Sequence, residues 1–175
     1  MKKILLLVLI LGLSFSSCEK DDICDPNTPT TPRMIITFYD VQNPSNAKTV
    51  NNLLIVADGL ATGILFNGVN KIQVPLDLNS DTVNYNFILN SGNANPALIY
   101  TDKLQFNYTR KTVYVSRACG YKTVFNLIND NDLATPNPFV LNNNPILADG
   151  NWIKNIIIEK YNLESENETH IKIYF

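Results

Sequence analysis

Apolar and polar residues alternate in short stretches through most of the chain. Residues 84–89 (NYNFIL) place Tyr85, Phe87 and Leu89 on one side of an extended backbone, and residues 103–108 (KLQFNY) alternate in the same way. A period of two is typical of half-buried strands, because successive side chains of a strand point to opposite faces. No stretch carries the apolar stripe of a capped helix. The pattern predicts an all-β fold.

Turn-forming residues separate these stretches, and 25 of the 175 residues are Asn. Asn tolerates left-handed backbone and hydrogen-bonds to its own neighbours, so it suits tight connections. Short strands at such regular spacing are typical of an antiparallel β-sandwich. We predict one β-sandwich domain over residues 33–175, with about 8–10 short strands and immunoglobulin-like topology as the first candidate.

Three local connections are predicted within this domain. Asn67 and Gly68 suit a type I′ turn, since both central positions of that turn need a positive φ, and they predict a hairpin between their flanking runs. The stretch 103–127 predicts a three-strand meander that first turns at residues 109–111. Residues 152–175 predict a closing hairpin over an acidic loop.

The first residues of the chain have the order of a secretion signal. Lys2 and Lys3 precede an apolar run, residues 4–13, which is shorter than the about 20 residues of a membrane-spanning helix. Small residues and Cys18 follow. Residues 15–18 (FSSC) resemble a bacterial lipobox, in which the Cys is lipidated and becomes the new N-terminus. An ordinary signal peptide with a coincidental Cys is the alternative.

We accordingly predict a lipoprotein signal peptide at residues 1–17 and a lipidated, acidic and Pro-rich tether at residues 18–32. Lys20, Asp21 and Asp22 resemble the surface-export signal of Bacteroidota lipoproteins, and a solvated acidic linker is the alternative reading of these three residues. The expected location is the outer membrane, reached through the lipid anchor. The cell-surface face is the first choice and the periplasmic face the second.

Composition argues against several classes of function. Removal of the signal peptide leaves 12 basic and 16 acidic residues, which gives no basic footprint for nucleic acid. A single His excludes metal sites built from two or three His. The chain has no phosphate-binding or dinucleotide-binding Gly motif and no nucleophile elbow. We therefore expect no metal, no cofactor, no nucleic-acid partner and no catalytic residue.

Two cysteines remain once Cys18 is lipidated, namely Cys24 and Cys119. An even number of Cys in an oxidising compartment predicts a disulfide, and two free thiols with Cys119 in the core are the alternative. Chain-entropy arithmetic gives about 4–5 kcal/mol for a closed loop of this length. The bond would make the Pro-rich residues 25–32 run over the domain surface, whereas without it they would form a semi-rigid spacer.

One position stands out for binding, formed by Arg117, Tyr121 and Lys122. In an extended strand, Arg117 would point to the same face as Val115 and Cys119, which lie two residues before and two residues after it. It is therefore buried at a strand end if those residues face the core. A buried guanidinium needs a carboxylate partner. Two roles of Arg117 remain open: it forms a structural ion pair, or its guanidinium faces a ligand.

Two other residues carry expectations. His170 alternates with Ile171 and Ile173, which are expected in the core, so His170 is predicted to face solvent. Residues 81–83 (DTV) resemble the Asp-Ser/Thr-apolar motif for O-glycosylation in Bacteroidota, which implies modification of Thr82. An unmodified Thr is the alternative.

Four segments spread over the mature chain carry a wider resemblance. They are residues 18–26 (CEKDDICDP), 106–111 (FNYTRK), 115–127 (VSRACGYKTVFNL) and 166–175 (ENETHIKIYF). Together they resemble an uncharacterised family of flavobacterial outer-membrane lipoproteins. The resemblance implies a location and a size, but no activity, ligand or catalytic residue.

Two functions follow as expectations. The first is a non-enzymatic envelope interaction module that docks a protein partner, such as an outer-membrane β-barrel protein, because the chain combines an anchor and a short tether with no catalytic constellation. The second is a glycan- or small-ligand-binding surface lipoprotein, because the chain has eight Tyr and one Trp. A carbohydrate site would need aromatic residues exposed side by side, with Trp152, Tyr114 and Tyr174 as candidates.

Overall fold

The computed structural model describes residues 23–129, 137–143 and 151–175. Within these ranges the chain is all-β, as predicted, and two sheets pack as a sandwich. A short 3-10 helix spans Pro96–Leu98. The strands are β1 (Met34–Tyr39), β2 (Leu53–Ala57), β3 (Ile64–Phe66), β4 (Lys71–Val74), β5 (Thr82–Leu89), β6 (Tyr100–Ser116), β7 (Gly120–Leu127), β8 (Phe139–Leu141), β9 (Asn155–Ile158), β10 (Asn162–Leu163) and β11 (Ile171–Tyr174).

The smaller sheet has the order β4–β1–β11–β9, and the larger sheet has the order β10–β7–β6–β5–β2–β3, with β8 paired to β6. Paired strands are antiparallel except β1 and β11, which run parallel with Ile36 opposite Ile171. That exception is possible because β1 and β11 are far apart in the sequence and need no tight turn between them. The predicted sandwich is confirmed, but its strand order is not the ABED and CFG order of an immunoglobulin domain.

One apolar cluster fills the space between the sheets. Phe38 of β1 lies 6.3 Å from the Trp152 ring and 6.1 Å from the Phe175 ring, measured between centroids. Tyr85 and Phe87 of β5 are buried as predicted, whereas Leu89 is half-buried. Each fully buried side chain of this size contributes roughly 1.5–3 kcal/mol relative to exposure, so this cluster is the main source of stability.

Strand β6 is longer than the sequence predicts, because the chain does not turn at residues 109–111. Residues 100–107 pair with β5, and the chain then continues straight into its pairing with β7. Leu104, Phe106 and Tyr108 are buried, whereas residues 109–112 are exposed. The predicted meander is therefore wrong in its first turn, because β6 extends beyond the core with polar residues that fit an extended backbone.

The Asn67-Gly68 pair does not close a hairpin either. Strand β3 pairs with β2 in the larger sheet, whereas β4 pairs with β1 in the smaller sheet, so these two residues lie on the connection between sheets. Gly68 has a φ of 67°, but Asn67 has no positive φ, which a type I′ turn would require. The Asn67 side-chain oxygen accepts a hydrogen bond from the Asn52 amide at 3.1 Å. The predicted closing hairpin of β9 and β11 is confirmed.

Asp102 is a fully buried carboxylate on β6 that holds two loops in place. Its Oδ1 accepts hydrogen bonds from Asn142 Nδ2 and the Asn151 amide, both at 2.7 Å. Its Oδ2 accepts from the Trp152 and Ile153 amides, both at 2.9 Å. These bonds replace the water that a carboxylate loses on burial, and they fix the segment that leads into β9.

His170 is fully buried, so the prediction that it faces solvent is wrong. It lies one residue before β11, where the alternation of that strand no longer applies. Its Nδ1 accepts a hydrogen bond from the Ile35 amide at 2.8 Å, so the ring serves as an acceptor for the backbone of β1. Burial lowers the pKa of His170 below its ordinary value, and Glu168 and Glu166 oppose that shift only in part.

The replacement Asp102→Asn is expected to lower the free energy of unfolding by about 2–4 kcal/mol. The NH2 group of Asn would face N–H groups that now donate to Asp102, so donor would meet donor. The remaining oxygen would be uncharged, and its hydrogen bonds would no longer be charge-assisted. Urea denaturation at neutral pH measures the change. The matched control is Asp58→Asn, which removes an exposed carboxylate 2.7 Å from Lys103 Nζ and should cost no more than about 1 kcal/mol. Equal, small effects of the two replacements would contradict the role of Asp102.

Acid should destabilise the fold through His170. The unfolded chain takes up this proton near pH 6.5, and the folded chain only at lower pH, so the stability contributed by neutral His170 is complete above pH 6.5 and declines below it. The slope is at most about 1.4 kcal/mol per pH unit for one proton. Urea denaturation between pH 7.5 and 5.5 measures it, and His170→Asn should remove this part of the slope. An unchanged slope in that variant would refute the assignment.

Candidate functional site

A disulfide joins the N-terminal segment to the turn between β6 and β7. Cys24 and Cys119 are bonded across a sequence separation of 95, with their Cα atoms 4.8 Å apart. The predicted bond is confirmed, and the alternative of two free thiols is not what the structure contains. The start of the described chain is thereby fixed to one end of the sandwich.

The Pro-rich residues 25–32, which we name the strap, lie against the domain between two fixed ends. Beyond the disulfide, Thr28 Oγ1 lies 3.6 Å from Cys119 Sγ. The Thr123 amide of β7 donates to Thr31 Oγ1 at 3.0 Å. The strap therefore follows the surface beside β7, which is the behaviour expected once the disulfide has formed.

The far end of the strap is held by Arg33 and Glu166. The guanidinium donates from Nε to Oε1 and from Nη2 to Oε2, both at 2.7 Å, and the Arg33 amide also donates to Oε1 at 2.9 Å. These bonds hold the pKa of Glu166 below its ordinary value. Both side chains are partly exposed, so water screens the pair and its main effect is to position the strap.

An exposed pair of Tyr occupies the same end of the molecule as the disulfide. Tyr114 and Tyr121 lie opposite each other on β6 and β7, and their ring centroids are 5.3 Å apart. They are 58% and 70% exposed. Gly120 has a φ of 69° and lets the turn close beside them, because such a backbone is strained for other residues. We call residues 113–122 the hairpin tip.

Arg117, Tyr121 and Lys122 all lie within this hairpin tip, but Tyr121 and Lys122 are adjacent on β7 and their side chains point to opposite faces of the hairpin. Arg117 lies in the turn and is exposed, so its predicted burial at a strand end is wrong. The inference failed because the pairing register shifts between Tyr114 and Ser116, and an irregularity of this kind breaks the alternation from which burial was inferred. Lys122 is half-buried opposite the half-buried Val113.

The aromatic residues proposed for a glycan site do not meet on the surface. Trp152 and Tyr174 are 6% and 8% exposed and belong to the interior, whereas Tyr114 lies at the hairpin tip. Tyr114 and Tyr121 meet edge to face at 67°, which is not a flat stacking platform. The aromatic content of the chain is therefore explained mainly by packing.

The remaining predicted site residues fall into two groups. Thr82 begins β5 and is half-buried, and its hydroxyl donates to Asn107 Oδ1 at 3.0 Å. Glycosylation of Thr82 stays a prediction, and it would require this hydroxyl to leave its partner. The lipidation residue and the export signal lie outside the described residues; they are Cys18, Lys20, Asp21 and Asp22.

A second surface, which sequence reasoning missed, lies at the opposite end of β6. Strand β3 is the edge of the larger sheet, and the β3 edge exposes Leu60, Ile64 and Leu65 by 63%, 46% and 59%. Gly63 lets the chain that leads into β3 pass close to β2, because a Cβ at this position would collide with the Ile55 carbonyl. Edge strands with exposed apolar side chains are available for pairing with another chain. In the sequence, this exposed edge is indicated only by the run of apolar residues after Gly63.

Residues 23–129, 137–143 and 151–175 contain no helix that is long and apolar enough to cross a membrane. In these same ranges no three or more His, Cys, Asp or Glu residues are grouped so that they could hold a metal ion.

The profile of a family of unknown function, DUF6452, matches residues 52–175. That range contains all of the larger sheet, the hairpin tip and most of the smaller sheet. Searches among curated proteins and among solved structures found no match.

Proposed function

Since the chain belongs to the DUF6452 family, whose function is unknown, we propose its role from its own geometry: a lipid-anchored, non-enzymatic interaction module of the outer membrane. The sequence supports the anchor through the secretion signal that ends in Cys18. The disulfide supports a short distance between anchor and domain. The exposed β3 edge supports docking of a protein.

The observation that carries the proposal is the Cys24–Cys119 bond. Cys24 follows Cys18 by six residues, so an extended tether spans at most about 20 Å. A lipid on Cys18 would hold the β6–β7 end of the sandwich near the bilayer. With more than one acyl chain, such an anchor is stable.

The β3 edge would then lie away from the anchor. Ile64 aligns through Ile55 and Phe87 with Asp102, near the start of β6. From Asp102 to the end of β6 the strand extends up to about 46 Å, at roughly 3.3 Å per residue. The apolar edge is thus presented to other envelope proteins rather than to the lipid.

We propose that the β3 edge takes an extended segment of a protein partner, such as a loop of an outer-membrane β-barrel protein. Backbone pairing with an edge strand supplies affinity in this mode, and alternate side chains supply specificity. Ile64 and Leu65 would contact the partner from opposite faces of the strand.

Anchoring is tested by metabolic labelling with a fatty-acid probe, followed by membrane fractionation. The parent protein should carry the label and sediment with the outer membrane, whereas Cys18→Ser should lose both properties. Joint replacement of Lys20, Asp21 and Asp22 by Ala should keep the label but protect the protein from protease added to whole cells. Glu19→Ala is the control. A Cys18→Ser protein that still carries the label would contradict the anchor.

Docking is tested by a photo-reactive residue at Leu65 in the anchored protein in living cells. We expect a discrete cross-link to one envelope protein, which Ile64→Lys should reduce at least about tenfold by placing a charge on the apolar edge. A probe at Leu78, 52% exposed but outside this edge, is the control and should give no such product. Absence of any Leu65 product from a correctly anchored monomer would count against the proposal.

A further inference from the structure

The hairpin tip carries two kinds of side chain that lipid interfaces favour. Tyr114 and Tyr121 expose most of their surface although they lie against each other. Arg117 is exposed in the turn, whereas Lys122 is half-buried and lies on the opposite face of the hairpin from the two Tyr. Two aromatic rings and the Arg117 guanidinium therefore lie at the end of the hairpin that carries Cys119.

The disulfide also limits where this tip can be. Cys119 lies within the tip, and Cys24 bonded to it follows the proposed anchor, Cys18, by six residues. Cys24 is consequently within about 20 Å of the lipid attachment point, and the Cα atom of Cys119 lies 4.8 Å from that of Cys24, so the tip is within reach of the headgroup layer. Tyr100, at the opposite end of β6, can lie up to about 46 Å from Tyr114.

We propose that the hairpin tip binds the membrane interface that holds the anchor, with Tyr114 and Tyr121 at the level of the headgroups and Arg117, in the turn between them, facing lipid phosphates. The inference rests on the proposed lipidation of Cys18. It deepens the proposed function, because a second contact fixes the orientation of the sandwich as well as its distance from the bilayer.

The chemistry of each side chain fits this position. Tyr has an apolar ring and a polar hydroxyl, which is why it is enriched at membrane interfaces. Lys and Arg place their apolar stems along such a surface while their charges reach the phosphates. Between the proposed anchor and Cys24 the tether carries Lys20 as well as Glu19, Asp21 and Asp22, a net charge of −2, and Arg117 at the tip offsets part of that charge beside anionic headgroups.

The test uses the acylated full-length protein reconstituted into vesicles of phosphatidylethanolamine and phosphatidylglycerol, with bromine on the acyl chains close to the headgroups. The variants are Tyr114→Trp, Tyr121→Trp and the control Tyr100→Trp, which changes a residue that is 39% exposed. Trp152 is buried and gives the same background in all of them. Bromine placed close to the headgroups quenches Trp side chains that enter the interface and not those held in the water above it, so fluorescence reports contact with the interface.

We expect quenching in both tip variants to be at least about threefold greater than in the Tyr100→Trp control, as interfacial anchoring of the tip requires. In the Tyr114→Trp background, Cys24→Ser with Cys119→Ser should reduce the quenching, since the tether then extends to Arg33. Circular dichroism shows whether the variant without the disulfide is folded. The comparison of the two tip variants with Tyr100→Trp does not depend on that variant.

Mass spectrometry of the purified protein separates the two ways to fail. Acylated protein with equal quenching at all three positions overturns the membrane contact and leaves the anchor intact. Protein without acyl groups overturns the anchor and this inference together.

Discussion

The bond between Cys24 and Cys119 organises this molecule, because it turns an N-terminal segment with little apolar content into part of the fold. The strap between Cys24 and Arg33 has few side chains that could pack into the core, and polar bonds to Thr123 and Glu166 hold it. Removing the bond would release the Cys24 end of the strap, whereas the apolar cluster between the sheets would keep its contacts. The disulfide therefore determines where the domain would sit relative to the proposed anchor more than it determines the fold.

The two ends of β6 consequently have different roles. At one end the hairpin tip carries the disulfide, the paired Tyr and the exposed Arg117. At the other end Asp102 fixes the loops that cover the sandwich, and the β3 edge exposes apolar side chains. A single long strand, β6, separates the surface that we assign to lipid from the one that we assign to a protein.

Sequence periodicity was enough for the fold class and for local alternation, as the buried Tyr85 and Phe87 illustrate. It failed where tertiary pairing decides the outcome. Residues 109–111 have no intrinsic reason to turn, and β7 pairs with them as a strand. His170 is buried by the neighbouring strand β1, which lies at the far end of the sequence. The Asp102 network joins residues 40 to 51 positions apart, and no local pattern indicates it.

Site prediction had a similar limit. Cysteine counting found the disulfide, because only two candidates remained after the anchor was assigned. Strand alternation wrongly placed Arg117 in the core, because an irregular pairing register cannot be read from a sequence.

The most direct measurement is peptide mass spectrometry, without reduction, of protein taken from the bacterial envelope. The account predicts one disulfide-linked peptide pair that joins Cys24 to Cys119 and carries acyl chains on Cys18. Free thiols at both Cys24 and Cys119, or an unmodified Cys18, would contradict it.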